Sequence, residues 1–235
     1  MTETPALVVF DIDDTLYLER DYVRSGFETV DEYLRASHGV DGFAAKAWAL
    51  FELGVRGRIF DQALQQLRQP ELLDRVPHLV RVYREHCPGI RLLPEVNGVI
   101  AGIGAQCSLA IISDGPANSQ RRKLEALGLP NLIKDIILTN EHGEDRAKPN
   151  PWAYEELERR FRVPGCACVY LGDNPAKDFI GARGRGWRTV RVRRNGGLHF
   201  HAKAEPGYEA DFEATTLKDS IARLGLKVTT GRCRL

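Results

Sequence analysis

Two carboxylates, Asp11 and Asp13, stand two positions apart in Asp11-Ile12-Asp13-Asp14-Thr15, directly after the apolar run Ala6-Leu7-Val8-Val9-Phe10. Side chains at i and i+2 of an extended chain point the same way, so both acids can meet one ligand where the strand opens into a loop. One can act as a nucleophile while the other moves a proton, provided that a cation absorbs the charge that would otherwise set them against each other. Ser113 closes another apolar run and is followed by Asp114 and Gly115, where a glycine lets the backbone approach a ligand and offers N–H groups to phosphate oxygens. Lys148, stiffened by Pro149 and Pro151, supplies a fixed positive charge for a phosphoryl group and the acids around it. Asp173, after Val169-Tyr170-Leu171-Gly172, adds a hard oxygen ligand, and a site with few carboxylates that shares its metal with substrate phosphate suits Mg²⁺.

Taken singly, each of these residues has a plainer role. An isolated Asp-x-Asp is more often a turn or helix cap, a lone Ser113 a strand-end hydroxyl and a lone Lys148 a surface lysine. Asp178 fits a first-turn helix acid, Asp14 turn chemistry, Asp114 a helix cap or a substrate contact, and Lys177 a solvent-facing position. A calcium loop is excluded because Leu16 and Tyr22 occupy its glycine and final glutamate positions. The glycine-rich run 181–186 follows no strand, which makes it a helix end rather than a dinucleotide loop, and no Walker loop is present.

The elements that must hold these residues can be read from periodicity. Short apolar runs at 6–10, 108–112, 133–138, 168–171 and 189–192 alternate with helical stretches at 117–127, 151–162 and 176–185, and a last helix is expected near 215–224. That alternation predicts an α/β fold, a doubly wound parallel sheet with helices on both faces, whose carboxyl edge gathers Asp11, Asp13, Ser113, Asp114 and Asp173 in one crevice. Between about 18 and 92 the pattern turns helical, with Tyr22, Val23, Phe27, Val30, Tyr33 and Leu34 at helical spacing and further helices at 42–53, 59–68 and 76–86. The expected organisation is a catalytic core of 1–17 and 93–235 with a helical cap domain of 18–92 inserted.

With 33 basic and 32 acidic residues, the charge balance makes no case for nucleic acid or an anionic membrane as partner. No stretch reaches the ~20 apolar residues of a membrane span, and no signal-type apolar segment opens the chain, so a cytoplasmic, soluble protein is expected, as monomer or homodimer. The five cysteines, at 87, 107, 166, 168 and 233, have no metal-site spacing and are expected to be reduced, most of them in the interior.

The ordered set Asp11-Ile12-Asp13-Asp14-Thr15, Ser113, Lys148 in Ala-Lys-Pro-Asn-Pro, and Gly172-Asp173-Asn174-Pro175-Ala176-Lys177-Asp178 resembles the four motifs of the haloacid dehalogenase superfamily. The helical insert after the first motif is similar to that family's C1-type cap. The resemblance implies that Asp11 takes the phosphoryl group as an aspartyl-phosphate, and that Asp13 protonates the leaving group and then activates water. It further implies Mg²⁺ held by the Asp11 carboxylate, the Asp13 main-chain carbonyl and Asp173, with Thr15 and Asp178 in support. Phosphoryl oxygens would rest on Ser113, Asp114, Gly115 and Lys148. Dehalogenases of the superfamily usually lack the second aspartate, so Asp13 favours a phosphomonoesterase of a small metabolite; a phosphomutase or dehalogenase of the same superfamily and a catalytically idle phospho-ligand or protein binder are the alternatives. Substrate contacts are expected from the cap at Arg56, Arg58, Tyr83 and Arg84. Ser113-Asp114-Gly115 with Gln120 and Leu124 is similar to the branch of pyrimidine 5′-nucleotidases and N-acylneuraminate 9-phosphatases, which points to nucleotides and sugar phosphates.

Overall fold

The computed structural model describes residues 4–227. The chain begins with β1 (Leu7–Phe10) and passes into four helices, α1 (Glu19–His38), α2 (Phe43–Glu52), α3 (Ile59–Gln66) and α4 (Val76–Arg84). It continues through α5 (Val96–Gly104), β2 (Ser108–Ser113), α6 (Ala117–Ala126), α7 (Leu129–Leu132), β3 (Asp135–Leu138) and α8 (Trp152–Phe161). The last part holds β4 (Cys168–Gly172), α9 (Ile180–Gly184), β5 (Arg188–Val192), β6 (Phe212–Ala214) and α10 (Leu217–Arg223). Among the described residues the strands form one parallel sheet in the order β3-β2-β1-β4-β5-β6.

Strand β1 is buried along its whole length, because its residues are apolar on both faces and such a run is stable only inside a covered sheet. Leu7 and Val9 join one hydrophobic layer with Tyr154, Leu157 and Phe179, whereas Val8 and Phe10 join the opposite layer with Ile100, Ile103 and Ile221. Phe10 stands level with Ile111 of β2 and with Leu171 of β4, so the carboxyl ends of the three strands lie side by side.

Helices α1–α4 enclose a separate cluster built from Val23, Phe27, Leu34, Phe43, Leu64 and Leu79. Its tight crossing of α1 on α4 depends on Gly26, where a Cβ would lie 2.4 Å from the Tyr83 ring. Gly39, at φ 65°, ends α1 in the left-handed region that glycine tolerates.

Several expected elements differ in detail. Helix α5 has no polar face to give it a period, and β6 is only a short edge strand, so neither stood out in the sequence. The helix expected from 176 begins at Ile180, because 173–178 is folded as a loop around the Asp178 carboxylate. Of the described cysteines only Cys168 is buried; Cys107 is half-buried and Cys87 and Cys166 are exposed, since these last two lie in the loop after α4 and the short 3-10 turn before β4. All four are free thiols, and Cys233 lies outside the described residues. No helix among the described residues is long and apolar enough to cross a membrane.

Candidate active site

Asp11 extends the β1 ladder by one residue, its N–H donating to Leu171 O at 2.8 Å, which aims its carboxylate out of the sheet edge. There the buried Lys148 ammonium lies 2.6 Å from Asp11 Oδ1, 2.8 Å from Asp178 Oδ1 and 2.6 Å from the Tyr170 hydroxyl. Carboxylate oxygens of Asp11, Asp173 and Asp178 all fall within 4.8 Å of one another. The turn that delivers Asp173 is held by Asp178, whose Oδ2 accepts the N–H groups of Asp173 at 3.1 Å and Asn174 at 2.8 Å. Only glycine fits at 172, because a Cβ would lie 2.4 Å from that same Oδ2.

Burial pushes the Asp11 carboxyl up to about 7, against the pull of Lys148 and with the added push of Asp178. Burial, together with Asp178 and Asp11, raises Asp173 well above the ordinary carboxylate range. Burial disfavours charge on Lys148 too, but Asp11 and Asp178 outweigh it and keep the ammonium charged. Three clustered hard oxygens short of positive charge are the donor set that a divalent cation of the Mg²⁺ kind satisfies, and Asp11, Asp173 and Asp178 fit it. The Asp13 carboxylate is engaged elsewhere, so any part of Asp13 in holding a metal falls to its main chain.

Asp13 Oδ1 receives Lys123 Nζ at 2.7 Å and the Tyr17 hydroxyl, and its Oδ2 lies 3.4 Å from Gln120 Nε2. Burial would raise this carboxyl, but the charge and hydrogen bond of Lys123 and the bond from Tyr17 bring it below its ordinary value. Lys123 is itself buried and stands 4.3 Å over the Tyr22 ring.

Asp11, Asp13, Asp114, Gly115 and Asp173 line a cavity of about 290 Å³. Tyr83 and Arg84 reach it from α4, and Glu19 and Tyr22 reach it from α1. Arg56 and Arg58 do not. The Arg56 guanidinium donates to Phe51 O and Val55 O and stacks on the Phe51 ring, while Arg58 is exposed near Asp61. Ser113 Oγ and Thr15 Oγ1 are buried with no hydrogen-bond partner among the described residues, and a native fold seldom leaves a hydroxyl so. Gly115, at φ 117°, occupies a conformation that a side chain would strain.

Three expectations for the surrounding charges are corrected. Lys177 does not face solvent: the late start of α9 leaves it in an inward turn, where Nζ donates to Asp114 Oδ2 at 2.9 Å and lines the cavity. Asp114 does not cap α6, whose start takes no side-chain cap. Its carboxylate accepts from Thr139 Oγ1, Lys148 N and Lys177 Nζ instead, so it offers phosphate no free side-chain donor. Asp178 is a fully buried loop anchor rather than a first-turn helix acid. Asp14 does serve its turn, at φ 50°, with Oδ1 accepting Glu19 N–H and Oδ2 accepting Leu198 N–H.

Lys123, Glu19, Tyr22 and His199 are cavity residues that sequence reasoning did not single out. The available signal for Lys123 was its spacing from Gln120, which puts both on one face of α6. Burial and the nearby Asp13 push Glu19 up to about 8, against the pull of Lys123.

The parallel sheet, the acids at its carboxyl edge and the buried lysine beside them define a hydrolase of one family. Residues 5–186 match the model of the haloacid dehalogenase-like hydrolases, and the chain belongs to that family. Among its relatives, the glyceraldehyde 3-phosphate phosphatase of Methanopyrus kandleri is 27% identical over 205 residues, covering 80% of this chain and 83% of that protein. The phosphoserine phosphatase of Thermus thermophilus is 31% identical over 166 residues, covering 69% of this chain and 64% of that one. The magnesium-bound HAD-hydrolase YfnB of Bacillus subtilis shares the fold with a TM-score of 0.64 at 19% identity, over 95% of this chain and 100% of that one.

Proposed function

We propose that this protein is a Mg²⁺-dependent phosphomonoesterase of a small phosphorylated metabolite, working through an aspartyl-phosphate in the cytoplasm, with the helical segment 18–92 as its cap. The observation that carries the proposal is Asp11 at the floor of a cavity, 2.6 Å from a fully buried Lys148 and sharing that cavity with Asp13. Asp11 and Asp173 would hold the ion, with Asp178 and Thr15 in support and Asp13 contributing main chain. When bound, the ion neutralises the acids and polarises the phosphoryl oxygens.

Asp11 attacks phosphorus, and the bond from phosphorus to the leaving oxygen breaks as Asp13 gives that oxygen a proton. Water then attacks phosphorus, Asp13 takes the water proton, and the acyl-phosphate bond to Asp11 breaks to release phosphate. The Ser113 hydroxyl is unpartnered and would donate to a phosphoryl oxygen, the Gly115 N–H would exchange its 3.3 Å contact with Asn140 Oδ1 for one, and Lys148, engaged by Asp11, Asp178 and Tyr170, would supply charge beside the reacting group. Removing one such donor typically costs about 10²- to 10³-fold in rate.

The cavity, about 290 Å³, lies at the lower end of ligand-pocket sizes, and both phosphatases named above are named for small phosphomonoesters. These points favour a short sugar phosphate or similar ester over a nucleotide. Tyr83 and Arg84, which line the cavity, would meet the leaving group from the cap. The test is phosphate release from p-nitrophenyl phosphate and a panel of phosphorylated metabolites with and without Mg²⁺, repeated with beryllium fluoride. Metal-dependent, fluoride-sensitive turnover is expected; inactivity across the panel would refute the proposal.

A further inference from the structure

We infer that Lys123 is the positioning residue of the proton-transferring acid, fixing one oxygen of Asp13 so that the other is presented to the leaving group; this rests on the proposed role of Asp13. The two oxygens of Asp13 are treated very differently. Oδ1 takes the Lys123 ammonium at 2.7 Å and the Tyr17 hydroxyl, whereas the contact of Oδ2 is the long one, 3.4 Å from Gln120 Nε2. Both groups at Oδ1 donate to it, so the exchangeable proton belongs on Oδ2.

Lys123 is suited to this work. Its side chain is 5% exposed, Asp13 is its carboxylate partner, and the Tyr22 ring face lies 4.3 Å away on its other side. Gln120, one turn earlier on α6, braces the second oxygen and is held by Asp114 O at 2.9 Å. The acid is thus strutted from a helix more than a hundred residues away in the chain, and no water is needed to hold it. In the first half-reaction the Oδ2 proton passes to the leaving oxygen as its bond to phosphorus breaks. In the second, the proton of the attacking water returns to Oδ2.

A misplaced acid harms poor leaving groups most, since a good one departs without a proton. The test compares kcat on p-nitrophenyl phosphate with kcat on phenyl phosphate, which has the same ring but a more basic leaving oxygen, for wild type and for Lys123→Met, Lys123→Arg and Asp13→Asn in Mg²⁺. Lys123→Met is expected to lose roughly 10- to 100-fold more on phenyl phosphate than on the nitro ester, with Lys123→Arg recovering part of the difference. Asp13→Asn should show the same split more strongly. An equal loss on both esters, or a rise in KM alone, in Lys123→Met beside a clear split in Asp13→Asn would overturn the inference and leave the Asp13 assignment standing. No split in Asp13→Asn would overturn both. Should Lys123→Met fail to fold, Tyr17→Phe, which removes the second anchor of Oδ1 at constant shape, decides in the same way: a split supports the inference and its absence overturns it.

Discussion

Replacing Lys148 by methionine in the metal-free protein should lower its stability steeply and in a pH-dependent manner. The ammonium is completely buried and compensates Asp11 at 2.6 Å and Asp178 at 2.8 Å. Its loss leaves both carboxylates buried, with Asp173 beside them, and without their compensating ammonium. Breaking a buried ion pair in this way costs about 3–5 kcal/mol. At roughly 2–4 °C per kcal/mol for a chain of this size, the melting temperature should drop by about 6–20 °C near pH 8. Lys148 itself stays charged across the accessible range, because its folded pKa lies above the ordinary lysine value and its contribution is lost only as pH rises through that higher value. The pH dependence therefore comes from the acids. Asp11, already pushed up to about 7 with Lys148 in place, moves higher without it and is neutral near pH 5, where the deficit should shrink. Thermal melts of both proteins in a chelator, near pH 5 and near pH 8, measure this. A drop below about 3 °C, or an equal drop at both pH values, would show that Lys148 does not carry the charge of this site.

Three further outcomes are expected. Asp11→Asn should abolish both turnover and acid-stable labelling of the protein by phosphoryl donors, while circular dichroism stays unchanged. Glu19, at about 8 against an ordinary 4.5, is penalised as pH rises between those values, so Glu19→Gln should flatten the metal-free stability profile there. Its gain in melting temperature should be largest near pH 9, about 2–4 °C if about 1 kcal/mol survives solvent screening, and absent near pH 4. Gly172→Ala forces a Cβ to 2.4 Å from Asp178 Oδ2 and should cost about 1–3 kcal/mol in denaturant unfolding together with weakened Mg²⁺ binding by calorimetry.

The sheet was legible because β1, β2 and β4 are apolar on both faces and end in polar residues, a pattern with few competing explanations. The acids Asp11, Asp13 and Asp173 and the cation Lys148 were legible for a related reason: Asp11 and Asp173 directly follow strands, Asp13 stands two residues on, and Lys148 lies in a proline-stiffened loop. Lys123 and Lys177 were not, because a lysine on a helix or turn is solvated by default and only tertiary packing turns it inward. Arg56 misled in the opposite sense. Its place in the helical insert suggested a substrate contact, whereas the local carbonyls of Phe51 and Val55 capture its guanidinium. Glu19 and His199 reach the cavity from a helix start and from the loop after β5, and no local spacing marks either.

The strand order carries a consequence for how the molecule comes into being. β1 is made first, yet both of its neighbours, β2 and β4, are made long afterwards, and its two hydrogen-bonding edges have nothing native to pair with until then. A ribosome must therefore extrude more than two thirds of the chain before Leu7–Phe10 can be locked in place, a long delay for so greasy a segment. The helices of α1–α4, which close their own cluster from neighbouring sequence, can consolidate in the meantime and occupy the nascent chain while its first strand waits.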